Sequence, residues 1–311
     1  MIEDLVRAAA DEDDDALEEL ERLAGTDPAA LTPHLARLLD SGVSWPPTLF
    51  RAADHRVVQR IVARVDAGAP DNLNHLLLIL AHHRGEEATA ALRRWLGEPP
   101  PGMDALPVDV AEFVRQGGRV LTDVTERDLC GPVAYALELA ETPPVAGDGC
   151  PWCASPLWTA LDLDTARPDV GAALAHTGWS GRLRITTCFL CANVTTLYTD
   201  VTPDGGATWS ARNHQPDHLP GPAEPPPALL PVVGERRPTP YLASAWHEGG
   251  STLGGAPDWI QEAGYPDCAG CGRAMDYVGL IGGADLTFGE GAYYLFLHAP
   301  CDLAAVNYQQ S

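Results

Sequence analysis

The chain contains no lysine. All 20 of its cationic side chains are arginine, and they face 43 Asp and Glu, leaving a formal net charge of −23 over 311 residues. Such a deficit argues against general nucleic-acid binding, because neutralising phosphates needs a basic face. It favours solubility and admits a protein partner of basic character. Long apolar runs are missing too: nothing approaches the roughly 20 residues that span a bilayer. The N-terminus, MIEDLVRAAADEDDD, lacks the basic start and apolar core of a secretory signal. Cytoplasmic residence is therefore the expectation, and with it reduced thiols rather than disulfides. Catalytic signatures are also lacking: there is no H-E-x-x-H, no G-x-S-x-G elbow and no phosphate loop ending in G-K-[ST].

What is present is a composition ordinary for a folded protein, 45% hydrophobic and 20% charged, in a chain long enough for two domains. Residues 1–102 carry apolar side chains at helical spacing. Leu17, Leu20 and Leu23 form one stripe, and Asp27 before Pro28 reads as a helix cap leading into Leu31, Leu35 and Leu38. Asp54, Asn72 and Glu86 open further helices. The short paired helices suggest a HEAT-like array, with an irregular bundle as the alternative. Eight acidic residues between Asp11 and Glu21 read as a solvated first helix or, alternatively, as an electrostatic docking patch.

Pro99, Pro100, Pro101 and Gly102 end the helical region. Residues 103–149 read as a helical or mixed connector, with a helix expected over Val133 to Leu139 and a boundary near Pro143 to Gly149. From Cys150 to the C-terminus the texture is β-rich, with strand-like runs at Arg182–Thr187, Val194–Thr199, Tyr277–Ile281 and Tyr293–Leu297. The proline-rich stretch 215–240 is expected to strap across the surface outside any sheet. The fold class expected is thus α+β: an N-terminal α-helical repeat-like array followed by a zinc-stabilised β-rich domain containing a zinc ribbon.

Six of the eight cysteines fall into three C-x-x-C pairs: Cys150/Cys153, Cys188/Cys191 and Cys268/Cys271. Two intervening residues let both sulfurs of a pair face one ion from a tight turn, and tetrahedral zinc takes two such knuckles. Cys150, Cys153, Cys188 and Cys191 are expected to share one zinc. Cys268, Cys271 and Cys301, with His298 of the H-x-x-C run as fourth ligand, are expected to hold a second. A thioredoxin-type redox pair would need its first cysteine at a helix N-terminus, whereas Cys153 leads through Ala154, Ser155 and Pro156 into a strand. An iron–sulfur cluster would also take four cysteines, but the paired knuckles favour zinc. Cys130 reads as a buried small hydrophobe. His82 with His83, and His214 with His218, lack thiol or carboxylate company and read as non-ligating.

The run Leu253-Gly-Gly-Ala-Pro-Asp-Trp-Ile-Gln261 resembles the GG-x-P-x-W-x-Q signature of the bacterial YwqG-like domain of unknown function. The following CAGC knuckle, Met275 to Ile281 and the ending Ala304-Ala-Val-Asn-Tyr-Gln-Gln310 are similar to the same group. A similar arrangement occurs in the eukaryotic programmed-cell-death protein family, implicated as chaperones for a ribosomal protein. The resemblance covers roughly residues 145–311 and implies a β-rich fold, no established enzyme activity, and protein-binding work as a client chaperone or immunity-type partner. In those relatives the final knuckle is often C-x-x-C; here its first position is His298.

The function expected is a non-enzymatic, zinc-stabilised protein-interaction module. A zinc enzyme would follow if His298 left an open site of three cysteines, and a nucleic-acid-binding zinc ribbon is the third reading. Against the last, Arg273 is the only arginine after Arg237.

Overall fold

The computed structural model describes residues 2–68, 72–141, 149–219, 229–286 and 290–311. The chain divides into two compact units, Met1–Arg127 and Asp128–Ser311.

The first unit is built from α1 (Ile2–Ala10), α2 (Asp14–Thr26), α3 (Pro28–Leu31), α4 (Leu35–Asp40), α5 (His55–Asp66), α6 (Leu73–His82), α7 (Glu86–Gly97) and α8 (Val110–Gln116). Short polar side chains start several of them by accepting the orphan amides of the first turn. Asp13 accepts from the Ala16 amide at 2.9 Å, Asp27 from Ala30 at 3.3 Å and Asp54 from Val57 at 3.0 Å. The helix expected to run from Asp27 through Leu38 is broken: α3 ends after one turn, a 3-10 turn covers Thr32–His34, and α4 restarts at Leu35. Pro33 has no amide to donate and cannot continue the ladder. Leu20, Leu31, Leu35, Leu38, Leu76 and Leu80 bury completely in one apolar cluster with Phe50, Ile61 and Leu92. The acidic run is exposed apart from half-buried Glu19, which pairs with Arg22.

A small hairpin of β1 (Arg119–Leu121) and β2 (Glu126–Asp128) follows α8. Arg119 is fully buried there. Its guanidinium donates to Thr89 Oγ1 at 2.8 Å, the Leu80 carbonyl at 3.2 Å, the His83 carbonyl at 3.1 Å and Glu126 at 3.0 Å. A buried charge is tolerable only when so paired and hydrogen-bonded. His83 is likewise structural, since its ring nitrogens meet the Ala53 carbonyl and the Gly85 amide, both at 3.0 Å.

The second unit contains β3 (Ala134–Glu141), β4 (Trp158–Asp164), α9 (Pro168–Leu174), β5 (Arg182–Thr187), β6 (Leu197–Val201), β7 (Ala207–Trp209), β8 (Leu229–Arg236), β9 (Thr252–Gly254), β10 (Asp276–Gly282), β11 (Ala292–His298) and β12 (Leu303–Gln309). Eight strands form an antiparallel sheet in the order β7-β6-β12-β11-β10-β9-β3-β8, and β4 pairs with β5 as a separate hairpin. Every residue of β10 and β11 is buried, which explains their nearly uninterrupted apolar sequences. The expected strands at 182–187, 277–281 and 293–297 lie within β5, β10 and β11. The one expected to start at Val194 begins only at Leu197, after a 3-10 turn.

Two expectations are overturned. Residues Val133 to Leu139, read as a helix, contribute instead to β3, which pairs with β9 on one side and β8 on the other. The local sequence AYALELAE favours a helix, but the ladder hydrogen bonds on both sides override propensity. The proline-rich stretch does not stay outside the sheet, because its C-terminal part is β8, with Pro231 opposite Leu139. β8 is an edge strand in this order, where a missing amide is tolerated. Residues 220–228 of that stretch, and 143–148 of the expected domain boundary, lie outside the described residues. The compact units divide earlier, between Arg127 and Asp128.

Candidate metal centres

Two four-ligand clusters form in the second unit, each with its donor atoms within 4.8 Å of one another. They unite Cys150, Cys153, Cys188 and Cys191 in one group and Cys268, Cys271, His298 and Cys301 in the other, so each expected ligand set converges. Among the described residues no other His, Cys, Asp and Glu grouping does so.

Cys150 and Cys153 sit on a turn just before β4. The Cys150 amide donates to the Ser155 carbonyl at 2.7 Å, the Ala154 amide to the Cys150 carbonyl at 2.9 Å, and Gly149 bridges Pro156. Cys188 follows the last residue of β5, and Cys191 begins a 3-10 turn. Because β4 and β5 are antiparallel partners, with Trp158 opposite Thr187, the start of one strand lies beside the end of the other. This register alone carries Cys150 and Cys153 to Cys188 and Cys191. The second loop is tied to the main sheet by Tyr293, whose hydroxyl meets the Phe189 carbonyl and Asn193 Oδ1 at 3.0 Å each. Trp158, Phe189 and Tyr293 pack ring against ring at 4.8–5.6 Å nearby.

The sulfur geometry fits a metal rather than disulfides. Cys150 and Cys191 Sγ lie 3.8 Å apart, and Cys153 and Cys188 Sγ 3.5 Å. A disulfide needs about 2.0 Å. A tetrahedron with metal–sulfur bonds of about 2.3 Å has S···S edges of about 3.8 Å. Burial opposes ionisation of Cys153, but hydrogen bonds with Ser155 and the neighbouring thiols bring it down to about 7. Burial pushes Cys188 up to about 12 and Cys191 higher still, and the facing sulfurs reinforce both shifts. Four thiolates cannot coexist in this space without a cation between them. The Cys191 amide aimed at Cys188 Sγ at 3.4 Å is the kind of donor that stabilises a bound thiolate.

The other cluster repeats the first knuckle residue for residue. The Cys268 amide donates to the Arg273 carbonyl at 2.7 Å, the Gly272 amide to the Cys268 carbonyl at 2.8 Å, and Asp267 bridges Ala274. Gly272 has φ +73° and Ala154, the equivalent position in the first knuckle, has φ +60°. His298 ends β11, and Cys301 ends the 3-10 turn leading into β12. Both imidazole nitrogens of His298 lie 3.8 Å from Cys271 Sγ, close to the roughly 3.5 Å S···N edge of a tetrahedron with three sulfurs and one imidazole nitrogen. Desolvation and the neighbouring thiols push Cys301 up to about 11, while Cys271 is lowered, chiefly by a backbone hydrogen bond from Arg273.

The two clusters differ in burial. Cys150, Cys188 and Cys191 are at most 3% exposed and Cys153 is half-buried. In the outer cluster Cys268 and His298 are buried, Cys301 is half-buried and Cys271 is exposed. Cys130 belongs to neither group and is half-buried, not fully buried as expected.

Sequence reasoning missed the support of the outer knuckle. The Tyr198 hydroxyl donates to the Asp267 carbonyl at 2.9 Å, and the Arg212 guanidinium reaches the Ala269 carbonyl at 3.5 Å. Both side chains lie more than fifty positions upstream, and no spacing signal marks them.

The GG-x-P-x-W-x-Q run has structural roles at both glycines, Trp259 and Gln261. Gly254 and Gly255 take φ +69° and +70°, and a Cβ on either would meet a backbone carbonyl at 2.5 Å. Trp259 stacks on Tyr294 at 4.6 Å, and the Tyr294 hydroxyl donates to the Asp258 carbonyl at 2.6 Å. Gln261 bonds Gln309 through its amide at 3.1 Å and the Gln310 carbonyl through its side chain at 2.7 Å.

A half-open polar cavity of about 640 Å³ in this unit is lined in part by Glu138, Glu235, Arg237, Glu248 and Asp285. Among the described residues its lining includes no cysteine, histidine or serine. Asp285 accepts the Gly249 and Ser251 amides, and Arg237 holds the carbonyls of the same two residues. No helix among the described residues is long and apolar enough to cross a membrane.

The chain is 27% identical over 288 residues to the uncharacterized protein YpfL of Salmonella typhimurium, covering 85% of this chain. It spans 65% of the length of that curated relative, whose name assigns no activity. No family model matches the chain, and no solved structure matches it.

Proposed function

We propose that this chain is a non-enzymatic protein-interaction module whose second unit is held together by two structural zinc ions. The observation that carries the reading is that each cluster offers four protein donors around one point. A closed tetrahedral site has no position left for a catalytic water. The knuckle-hairpin-knuckle arrangement around β4 and β5 supports a zinc-ribbon reading, and the chemistry of all-sulfur and sulfur–imidazole donor sets favours zinc over harder ions. When bound, zinc would neutralise and cross-link the thiolates, with Cys150, Cys153, Cys188 and Cys191 at one centre and Cys268, Cys271, His298 and Cys301 at the other.

We place residues 145–311 with the YwqG-like group on the strength of the 253–261 run, and read the helical unit as HEAT-like pairs. The exposed carboxylates of α2 and the net charge of −23 favour a basic protein partner over nucleic acid. A cytoplasmic setting fits eight cysteines in which none is disulfide-bonded. The enzyme alternative requires His298 to stand away from the three thiols; its position beside Cys271 favours the closed site.

Elemental mass spectrometry on freshly purified protein tests the reading. Two zinc ions per chain is the expected result. No bound metal, with all cluster thiols freely alkylated, would overturn it. Affinity capture of the metal-replete chain at moderate salt then tests the interaction role, and repeated recovery of nothing specific would count against it.

A further inference from the structure

We propose that Cys271 is a site of oxidative modification, and that peroxide acting there opens the outer cluster while the inner one stays closed; the metal-release part rests on the structural-zinc reading above. The two clusters have similar donors but unequal access. Cys150, Cys188 and Cys191 are at most 3% exposed, within the apolar cluster that also holds Trp158, Phe189 and Tyr293. Cys271 is exposed, and both its neighbours, Gly270 and Gly272, lack side chains that could cover it. Accessible thiolate sulfur is where oxidation concentrates.

The step balances as follows. The Cys271 thiolate attacks one peroxide oxygen, the O–O bond breaks, sulfur loses two electrons to become a sulfenic acid, and hydroxide leaves. A neighbouring thiolate, Cys268 or Cys301, both within 4.8 Å, then attacks that sulfur and expels its oxygen as a second hydroxide. Two thiolates, one hydrogen peroxide and two protons thus become one disulfide and two waters. A metal held by Cys268, Cys271, His298 and Cys301 would lose two of its four ligands in this step, with no change in its own charge.

The surrounding structure allows this without global unfolding. The knuckle keeps its own Cys268–Arg273 and Gly272–Cys268 backbone bonds, and β11 pairs with β12 along seven residue pairs that need no metal. What is released is the cross-link between the Cys268–Cys271 turn and the β11–β12 turn.

The test treats metal-replete full-length protein with hydrogen peroxide in the presence of a chromogenic zinc chelator, and maps disulfides by peptide mass spectrometry over time. We expect one metal equivalent to leave at least roughly tenfold faster than the other, with the first disulfide joining Cys271 to Cys268 or Cys301. Thiol reductant plus zinc should restore both equivalents, and far-ultraviolet circular dichroism should change little throughout. Simultaneous loss of both metals, or a first disulfide among Cys150, Cys153, Cys188 and Cys191, would overturn the proposal. A starting content below two metals would count against the structural-zinc reading, and the order of thiol oxidation would still decide the Cys271 assignment.

Discussion

If the inner cluster is a structural metal site, the stability of residues 128–311 must track free zinc. A ligand bound only by the folded state stabilises by about 4.1 kcal/mol when its free concentration is 1,000-fold above Kd, and by about 1.4 kcal/mol per further decade. For a unit of this size, 1 kcal/mol moves the melting temperature by about 2–4 °C. Three decades of buffered free zinc above Kd should therefore raise the transition of this unit by about 8–16 °C, read by calorimetry. The Cys188→Ser variant should lose one metal equivalent and most of that dependence. Its sulfur is fully buried and lies 3.5 Å from Cys153 Sγ, so the hydroxyl would reach neither a metal at sulfur distance nor water. Cys271→Ser, at the exposed corner, should lose one equivalent with a clearly smaller fall in melting temperature. A transition indifferent to free zinc, or equal effects of the two variants, would refute the reasoning.

Other outcomes follow from the same geometry. Ala154→Gly should stabilise the metal-replete protein by roughly 0.5–1 kcal/mol in chemical denaturation, since relief of the left-handed backbone, about 1–2 kcal/mol, outweighs the added flexibility of glycine. Metal-stripped protein should become less stable as pH rises from about 9 to about 12, because Cys188 keeps its proton up to about 12 when folded but loses it near 9 when unfolded. Metal-replete protein should show the opposite sensitivity, losing zinc as acid protonates its thiolates, measured by melting scans with and without chelator. Trp259→Ala should cost about 1–3 kcal/mol through lost stacking of this half-buried ring on Tyr294 while leaving metal content at the wild-type value. A changed metal content in that variant would show that the 253–261 loop supports the clusters directly.

The residue types and spacings settled which side chains would converge. C-x-x-C forces two sulfurs onto one turn whatever surrounds it, so Cys150/Cys153, Cys188/Cys191 and Cys268/Cys271 were legible from local chemistry alone. The H-x-x-C of His298 and Cys301 was legible for the same reason. Helix starts at Asp54 and Glu86 and the buried strands β10 and β11 were equally plain, because capping and apolar runs are local signals. Tertiary structure decided the rest. AYALELAE became β3 because strands β8 and β9, far downstream in the chain, supplied ladder partners that helical propensity could not outbid. Pro231 entered a sheet because the strand order placed it on an edge, and strand order is a long-range property. The unequal burial of the two clusters was decided by tertiary packing too. The two knuckles share their backbone bonds, but Cys150, Cys188 and Cys191 bury in the apolar cluster that also holds Trp158, Phe189 and Tyr293, from three separate elements, whereas Cys271 stays exposed between two glycines.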